Sequence, residues 1–379
     1  MSAVQAANIG YSPRHAAGDQ RPRPVTRRTR LLLLIGSLFV LLCAGATAAV
    51  VLTGVKPACR SARCRQPSRP AAAAGPRVTV RAAARYGFRG PVGITAVGGH
   101  LWVTNAIGNS VTEFGLRARG PAVVLVGRKY GFSGPHAITT GRNHVWVANL
   151  VMNSVTELNA TSGAVIRTLT GWPIAGPDAL VLYGARLWVA DVGSGSVTEF
   201  DARTGTPVRT VRGLDAPYAL AISHGSLWVA NAGNGTLTRL NAATGAPIAT
   251  LRAGRAAPGD QLCEAASRTR LWICDGAANS VTEFSTVTGR VLRVMAGPRY
   301  RLSAPAAMTL AGGDLWVTNV LGDSVTRIDA STGRPAGVLA GPRYGFGGPA
   351  GLVGYRGMLW VANQAAGSVT QVPLGRGDP

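Results

Sequence analysis

The stretch LWVTNAIGNSVTEF, residues 101–114, decides the fold because the chain repeats it seven times. Trp, Val, Thr and Phe favour β-strands, and Gly108-Asn109 in the middle favours a turn, so one copy predicts a β-hairpin. Related phrases begin at residues 101, 145, 187, 227, 271, 315 and 359. Their tryptophans, which number the copies, are Trp102, Trp146, Trp188, Trp228, Trp272, Trp316 and Trp360.

The spacing between consecutive tryptophans is 40 to 44 residues, which is typical of propeller blades. Each copy contains four strand-sized pieces. In the fourth copy they are YALAIS, SLWVAN, TLTRL and PIATL, with glycine-containing turns between them. The copies contain no long amphipathic stretch of helical spacing, which argues against helical repeats of similar length. We therefore predict an all-β, seven-bladed β-propeller.

Two further positions follow the tryptophan register. A Thr lies ten residues after every Trp, and a Pro lies eleven residues before Trp in six of the seven copies. Such a Pro suits the start of an innermost strand, where no ladder N–H is needed. The seventh copy has three strands, and RVTVRAAARYGFRGP, from Arg77, aligns with PAGVLAGPRYGFGGP, from Pro335. We expect the N-terminal strand to complete the seventh blade and close a propeller that spans 77–379.

The sequence also resembles known propeller families. The phrase LWVANAGNGTLTRLNAATGAPIATL, residues 227–251, resembles the YVTN repeat of bacterial surface and extracytoplasmic propellers. The wording GPxGIT, LWVTN and NSVTEF resembles NHL repeats and the streptogramin-inactivating (virginiamycin B) lyases. The resemblance covers about 300 residues and implies the fold, but propellers host many unrelated activities.

The lyase resemblance implies one catalytic residue. Those enzymes place a catalytic His in a Pro-His-Ala-Ile-Thr phrase, which matches residues 135–139 and implies His136 as a base. They also use a Glu at the end of a Trp-Phe-Thr-Glu phrase, where this chain has Asn149. An amide cannot do the acid–base work of a carboxylate, so the second catalytic group has no counterpart here.

The residue ten positions before each Trp should lie at the mouth of the central channel. It reads Val92, His136, Asp178, Tyr218, Ala306 and Ala350, while the fifth copy is shifted and has Asp260 nearby. Polar residues therefore cluster on blades two to five. Trp172 lies in GWPIAGP and leads to the same face. The predicted ligand-binding patch is His136, Trp172, Asp178, Asp191, Tyr218 and Asp260; the alternative is a set of scattered loop residues around a plain channel.

A second ring of polar residues lies three positions after each Trp. It reads Asn105, Asn149, Asp191, Asn231, Asp275, Asn319 and Asn363. These side chains could cap the following turn, or the ring could coordinate a cation or water at the channel mouth. No cofactor is predicted, apart from the divalent cation that such a ring would allow.

Four loops share a basic and aromatic phrase. It reads RYGF at 85–88, KYGF at 129–132, PRYRL at 298–302 and PRYGF at 342–346. Such residues could stack on sugars or bases and pair with anions. Alternatively, Tyr and Phe fill gaps between blades while the basic residues extend to solvent.

The sequence of the N-terminal region predicts that the protein is targeted to a membrane. Residues 1–90 hold 15 of the 39 Lys and Arg but one of the 16 Asp and Glu. We predict a disordered basic cytoplasmic tail at 1–30, a transmembrane signal-anchor helix at 31–55 and an Arg/Ala/Pro-rich stalk at 56–76. The alternative is a cleaved signal peptide and a secreted protein. Expected partners are the membrane and an extracytoplasmic protein, glycan or small molecule, with no nucleic acid.

The cysteines agree with an oxidising compartment. Cys59 and Cys64 lie just beyond the predicted anchor, and Cys263 and Cys274 flank a short turn in the fifth copy, so both pairs are candidate disulfides. For the second pair, two reduced buried thiols are the alternative. The sequence thus predicts a membrane-anchored, extracytoplasmic propeller that acts as a ligand- or protein-binding or scaffolding module. The alternative is a lyase-like or other enzyme with an active site at the channel mouth.

Overall fold

The computed structural model describes residues 78–116, 122–171, 173–252 and 262–375. Within them, seven four-stranded antiparallel sheets form the blades of a β-propeller, which confirms the predicted fold. The predicted tail, anchor and stalk, Cys59, Cys64, Trp172 and Asp260 lie outside the described residues. None of the helices in those four ranges is long and apolar enough to cross a membrane.

Each blade is a meander whose first strand is innermost, and the strands of blades one to four have these bounds. Blade one has β2 (Pro91–Val97), β3 (His100–Asn105), β4 (Ser110–Gly115) and β5 (Val123–Leu125). Blade two has β6 (Pro135–Gly141), β7 (His144–Asn149), β8 (Ser154–Asn159) and β9 (Val165–Thr170). Blade three has β10 (Pro177–Tyr183), β11 (Arg186–Asp191), β12 (Ser196–Asp201) and β13 (Pro207–Arg212). Blade four has β14 (Pro217–Ser223), β15 (Ser226–Asn231), β16 (Thr236–Asn241) and β17 (Pro247–Arg252).

The other three blades repeat this plan. Blade five has β18 (Leu262–Ala266), β19 (Arg270–Asp275), β20 (Ser280–Ser285) and β21 (Val291–Ala296). Blade six has β22 (Pro305–Ala311), β23 (Asp314–Asn319), β24 (Ser324–Asp329) and β25 (Pro335–Ala340). Blade seven has β26 (Pro349–Tyr355), β27 (Met358–Asn363), β28 (Ser368–Pro373) and β1 (Thr79–Ala82). The helical turns are α1 (Ala83–Tyr86) and three 3₁₀ turns, Arg128–Tyr130, Pro298–Tyr300 and Pro342–Tyr344.

The ring closes through the N-terminal strand, as the sequence predicts. β1 pairs antiparallel with β28, from Thr79 opposite Gln371 to Ala82 opposite Ser368. The innermost strands contact one another in chain order, and β26 returns to β2. Closure protects the edges that an open stack of sheets would expose.

The core lies between the blades rather than inside any one of them. The seven repeat tryptophans are all buried, and each side of a blade packs against a neighbour. At the junction of blades seven and one, for example, Trp360 and Ala362 pack against Ile94, Leu101 and Val103. Because both faces of every inner strand are covered, the second strands are apolar almost throughout rather than alternating.

The start of each first strand and the end of each second strand lie on one face of the disc. Pro91 pairs with Asn105, and five of the other blades repeat this Pro–Asn or Pro–Asp pairing. We call this the upper face, and the opposite one, where the turn between strands one and two lies, the lower face. His100 at the lower face pairs with Glu113, with 2.8 Å between Nδ1 and Oε1.

Candidate functional site at the channel mouth

Irregularities in the innermost strands select the residues of the site. In six blades the pairing of strands one and two shifts just after the leading Pro, which leaves an extra residue outside the ladder. A bulge of this kind re-aims a side chain that the pleat would otherwise pack inside the sheet. The extra residues include His136, Asp178 and Tyr218. Blade five has no such shift, because Leu262 itself pairs with Asp275.

The bulges of blades two and three bring His136 and Asp178 into direct contact. His136 Nδ1 lies 2.8 Å from Asp178 Oδ1, and their side chains are 22% and 4% exposed. With Nδ1 bonded to the carboxylate, Nε2 is the imidazole atom available to a ligand. The second oxygen, Asp178 Oδ2, is buried and has no hydrogen-bond partner among the described residues.

The charge of Asp178 favours protonation of the His136 imidazole. Burial lowers the pKa of His136, but the charge of Asp178 and its hydrogen bonds outweigh burial, so the net pKa is raised. The pair therefore favours imidazolium beside carboxylate at a higher pH than a free histidine would. In this state Nε2–H is able to donate to an anionic or polar group, and the neutral form is able to accept a proton.

Tyr218 adds a neutral donor beside the pair. Burial and then the charge of Asp178 raise the pKa of its phenol above the ordinary range, so the hydroxyl stays protonated. Tyr218 occupies the equivalent bulge of the next blade, whose inner strand β14 contacts β10. His136, Asp178 and Tyr218 thus form one cluster over blades two to four, which is the part of the predicted patch that the structure brings together.

The backbone of His136 is fixed by blade one. Thr104 Oγ1 donates to the His136 carbonyl at 2.8 Å and also accepts from Gly93 N–H at 2.8 Å. A Cβ on Gly93 would lie 2.4 Å from that carbonyl oxygen, so only glycine permits the approach. The neighbouring blade therefore sets the position of the histidine.

Asp191 does not join this cluster. It is fully buried, and its two oxygens accept hydrogen bonds from Thr198 Oγ1 at 3.2 Å and from Ala175 N–H at 3.3 Å. Burial raises its pKa to about 8, although both hydrogen bonds oppose the rise. Asp191 therefore binds strand three to the loop that leads into its own blade.

The asparagines of the same ring have a structural role. Each of the five donates its amide to the hydroxyls of residues five and seven positions ahead, as Asn363 does to Ser368 at 3.1 Å and Thr370 at 2.9 Å. These buried side chains point into the blade, and their bonds reach strand three rather than the backbone of the turn. In the described residues, no group of three His, Cys, Asp or Glu side chains could hold a metal ion.

Within each basic and aromatic loop, the side chains stack on one another. Tyr86, Tyr130 and Tyr344 each stack on the Phe two residues ahead, with ring centroids 5.3 to 5.5 Å apart. The neighbouring Arg or Lys lies over the same tyrosine ring, at 4.6 Å for Arg343. Each tyrosine carbonyl accepts a hydrogen bond from the repeat threonine, at 2.7 Å from Thr370 to Tyr344. The aromatic rings therefore fill gaps between blades, and only the cationic groups reach solvent.

The two inner strands of blade five contain a disulfide and a buried glutamate. The structure joins Cys263 and Cys274 as a disulfide between its two inner strands. Glu264 lies beside this bond, at a position eight residues before Trp that is otherwise apolar, as with Ile94, Ile138, Leu180, Leu220, Met308 and Leu352. Burial raises the pKa of Glu264 well above its usual value, and the backbone of Ala230 in blade four opposes this only in part. The residue was missed from the sequence, although its departure from the register was visible there.

No protein-family model and no curated protein sequence matches this chain. Solved structures with the same fold include virginiamycin B lyase from Staphylococcus aureus, with 16% identity, a TM-score of 0.65, and coverage of 79% of this chain and 99% of that one. A catalytically inactive histidine-to-alanine variant of virginiamycin B lyase from the same organism, with quinupristin, gives 17% identity, a TM-score of 0.64 and coverage of 78% and 99%.

Hydrazine synthase from Kuenenia stuttgartiensis is as similar, with 17% identity, a TM-score of 0.64 and coverage of 76% and 96%. Identities this low show the fold alone, and proteins of such different names share it. The structural neighbours thus include virginiamycin B lyase-like propellers, and this chain is a seven-bladed β-propeller of the same architecture.

Proposed function

We propose that the protein is a membrane-anchored, extracytoplasmic propeller that binds a small polar or anionic ligand at the channel mouth over blades two to four. The observation that carries the proposal is the contact of His136 with Asp178, which lie on the bulges of neighbouring blades, with Tyr218 on the equivalent bulge of the next blade. Anchoring through residues 31–55 rests on their apolar run of a length that can cross a bilayer.

The cluster suits binding because its polar groups converge and the His136–Asp178 contact leaves other polar atoms of the cluster for a ligand. Imidazole Nε2 and the phenol of Tyr218 are donors, and Asp178 Oδ2 is a buried acceptor. Blades one, six and seven have Val92, Ala306 and Ala350 at the same position. A ligand would therefore meet polar groups on one side of the mouth and small apolar groups on the other, which gives it an orientation.

A second candidate is lyase-like catalysis, and the His136–Asp178 pair is the observation that favours it. A carboxylate bonded to Nδ1 fixes the tautomer in which Nε2 can take a proton from a substrate. Asn149, where the resemblance implies a glutamate, is buried and bonded to Ser154 and Thr156. A lyase reaction here would need its acid from elsewhere, and the protonated phenol of Tyr218 is the candidate in the same cluster.

The binding proposal is tested by the thermal unfolding of the full chain in detergent, followed by tryptophan fluorescence. Small polar metabolites, cell-wall glycans, anionic polymers and divalent cations with a chelator control form the ligand set. We expect one class to raise the Tm of the wild type and to leave the Tm of His136→Ala and Asp178→Ala unchanged.

The matched control is His100→Ala, which removes a histidine with the same 2.8 Å carboxylate contact on the lower face. This variant should keep the ligand response. If His100→Ala loses the response as well, or if no class raises the Tm of the wild type, binding at the mouth is refuted.

Catalysis is tested separately with quinupristin and mass spectrometry. A carbon–oxygen lyase opens its substrate by elimination, so the product keeps the mass of the substrate but changes its retention. We expect any such product to vanish in His136→Ala and to persist in His100→Ala. If quinupristin is unchanged, lyase activity on this substrate is refuted, whereas the binding proposal is unaffected.

A further inference from the structure

The turns between strands two and three on the upper face differ sharply around the ring. In blades one, two and six their tips are large, apolar and exposed: Ile107 is 44% exposed, Val151 66%, Met152 61% and Leu321 63%. Blade seven lies between blades six and one, and its turn has small exposed residues, Ala365 and Ala366, so it adds no large tip of its own. We call the turns 106–109, 150–153, 320–323 and 364–367 the apolar arc, because their four blades are consecutive.

Positive charge surrounds the apolar arc. The loops that lead into the same four blades are 83–90, 126–134, 297–304 and 341–348. Together with the arc they contain one acid, Asp323, and seven exposed bases, which are Arg85, Arg89, Arg128, Lys129, Arg299, Arg301 and Arg343. This excess of cations is local and not only a reflection of the basic composition of the chain.

Blades three to five lack both features in their described part. The tips of their turns are Gly193-Ser194, Gly233-Asn234 and Ala277-Ala278. The described loops 173–176 and 213–216 contain one charged residue, Asp215. Exposed apolar residues also occur on the outer strands, such as Val208 and Ile248, but these follow the rim of many blades. Among the exposed apolar residues of the described ranges, those of the apolar arc are the ones confined to one side of one face.

We propose that the apolar arc is a docking surface for an anionic lipid bilayer. Its large tips come from three separate turns on one face of a disc, so they form a spread of points that suits a flat surface better than a groove. Apolar side chains a few residues from Arg and Lys match the layering of a membrane interface. The tips enter the acyl boundary while the cations remain among the phosphates.

The chain outside the described residues allows this orientation. β1 runs towards the upper face, so residue 78 lies on the lower side of the disc. Residues 56–77, when extended, span up to ~70 Å, whereas a strand of six residues is only ~20 Å long. If residues 31–55 are anchored in a membrane, the linker is therefore long enough to go around the edge of the disc, and the upper face can contact the same membrane.

The experiment measures amide hydrogen exchange of the full chain in nanodiscs of phosphatidylcholine alone or with phosphatidylglycerol. We expect roughly tenfold slower exchange in turns 106–109, 150–153 and 320–323 in the anionic discs only. Turns 193–195 and 233–235 of blades three and four are the internal control and should exchange equally in both discs.

Two double variants separate the contributions. Val151→Ser with Met152→Ser removes apolar tips, and Arg299→Gln with Arg343→Gln removes cations; each should abolish the protection. Val208→Ser with Ile248→Ser changes apolar residues of the rim that are 48% and 50% exposed, and should keep the protection. Equal exchange in the two discs, or protection that ignores lipid charge, overturns the proposal and leaves the arc as a surface for a protein partner.

Discussion

The two halves of the upper face use one repeat in opposite ways. Blades six, seven, one and two have loops held by a buried tyrosine, asparagines in the inner ring and small or apolar residues at three of their four mouth positions. Blades three to five lack the tyrosine, have Asp191 and Asp275 in the ring and carry Asp178 and Tyr218 at the mouth. The tryptophan framework is common to both halves, so positions outside it decide what each half does.

The two halves differ in the hydrogen-bond partners of the repeat threonine. In the first half, the threonine of each repeat accepts from an asparagine and donates to a tyrosine carbonyl, which ties three segments together. In blade three, Thr198 donates instead to a buried carboxyl of raised pKa. The position three residues after Trp is therefore a neutral amide in the first half and an ionisable carboxyl in blade three, where its effect on stability should depend on pH.

Among the variants that test this comparison, Tyr344→Ala is expected to change the free energy of unfolding most. Tyr344 is buried, stacks on Phe346 at 5.3 Å and fills the junction of blades six and seven. Its removal should lower the free energy of unfolding by about 3–5 kcal/mol, measured by urea denaturation. Tyr183→Ala, at a 40% exposed tyrosine of blade three, should change it little. Similar losses in both variants would refute the idea that the tyrosine loops hold the first half.

The next effect has the opposite sign and comes from Asp191→Asn. The folded-state pKa of Asp191 is about 8 against an ordinary 3.8, so the native state favours its protonated form. Its contribution to stability is present below pH 3.8 and is lost as the pH rises towards 8. The asparagine variant should remove this loss and be more stable by roughly 2–4 kcal/mol at pH 8.

The reciprocal change, Asn149→Asp, should introduce the same pH dependence into blade two. Urea denaturation of both variants from pH 4 to 9 measures the slopes. A stability of Asp191→Asn that falls with pH as steeply as that of the wild type would show that another group is responsible.

The smallest expected effect is the difference in stability loss when the repeat threonine is replaced in each half. Thr370→Val removes a bond to the Tyr344 carbonyl at 2.7 Å and one from Asn363 at 2.9 Å, and should cost about 1–3 kcal/mol. Thr238→Val in blade four loses only the bond from Asn231 at 2.8 Å and should cost less. Thermal unfolding ranks the pair, and an equal or larger loss in Thr238→Val would contradict the comparison.

Much of the fold could be predicted because its signals are local and repeated. The tryptophan spacing gave the number of blades, and the alignment of Arg77 with Pro335 gave the closing strand. At the site, the sequence selected His136, Asp178 and Tyr218 because they depart from a register that is otherwise small or apolar. Trp172 and Asp260 stay predictions, since both lie outside the described residues.

The rest depends on contacts between distant residues. Asp191 occupies the same ring position as Asn149, and only burial shows that its carboxyl serves the blade and not the channel. The tyrosine loops looked equally suited to a ligand, yet their rings stack on one another and their carbonyls are occupied. Glu264 could not be predicted as a site residue, because its carboxyl is buried against the Ala230 backbone at the seam between blades four and five and not at the mouth.

The sequence by itself determined the seven blades, their four strands and the closure of the ring, because period-two strands and turn residues act over short distances. It also determined which blades carry polar residues. Only the tertiary structure decided that His136 and Asp178 touch, since a bulge on each of two blades and the approach of Gly93 to a neighbouring carbonyl set that 2.8 Å contact. Ring closure likewise brings blades six, seven, one and two together, which makes one apolar arc from turns more than 200 residues apart in the chain.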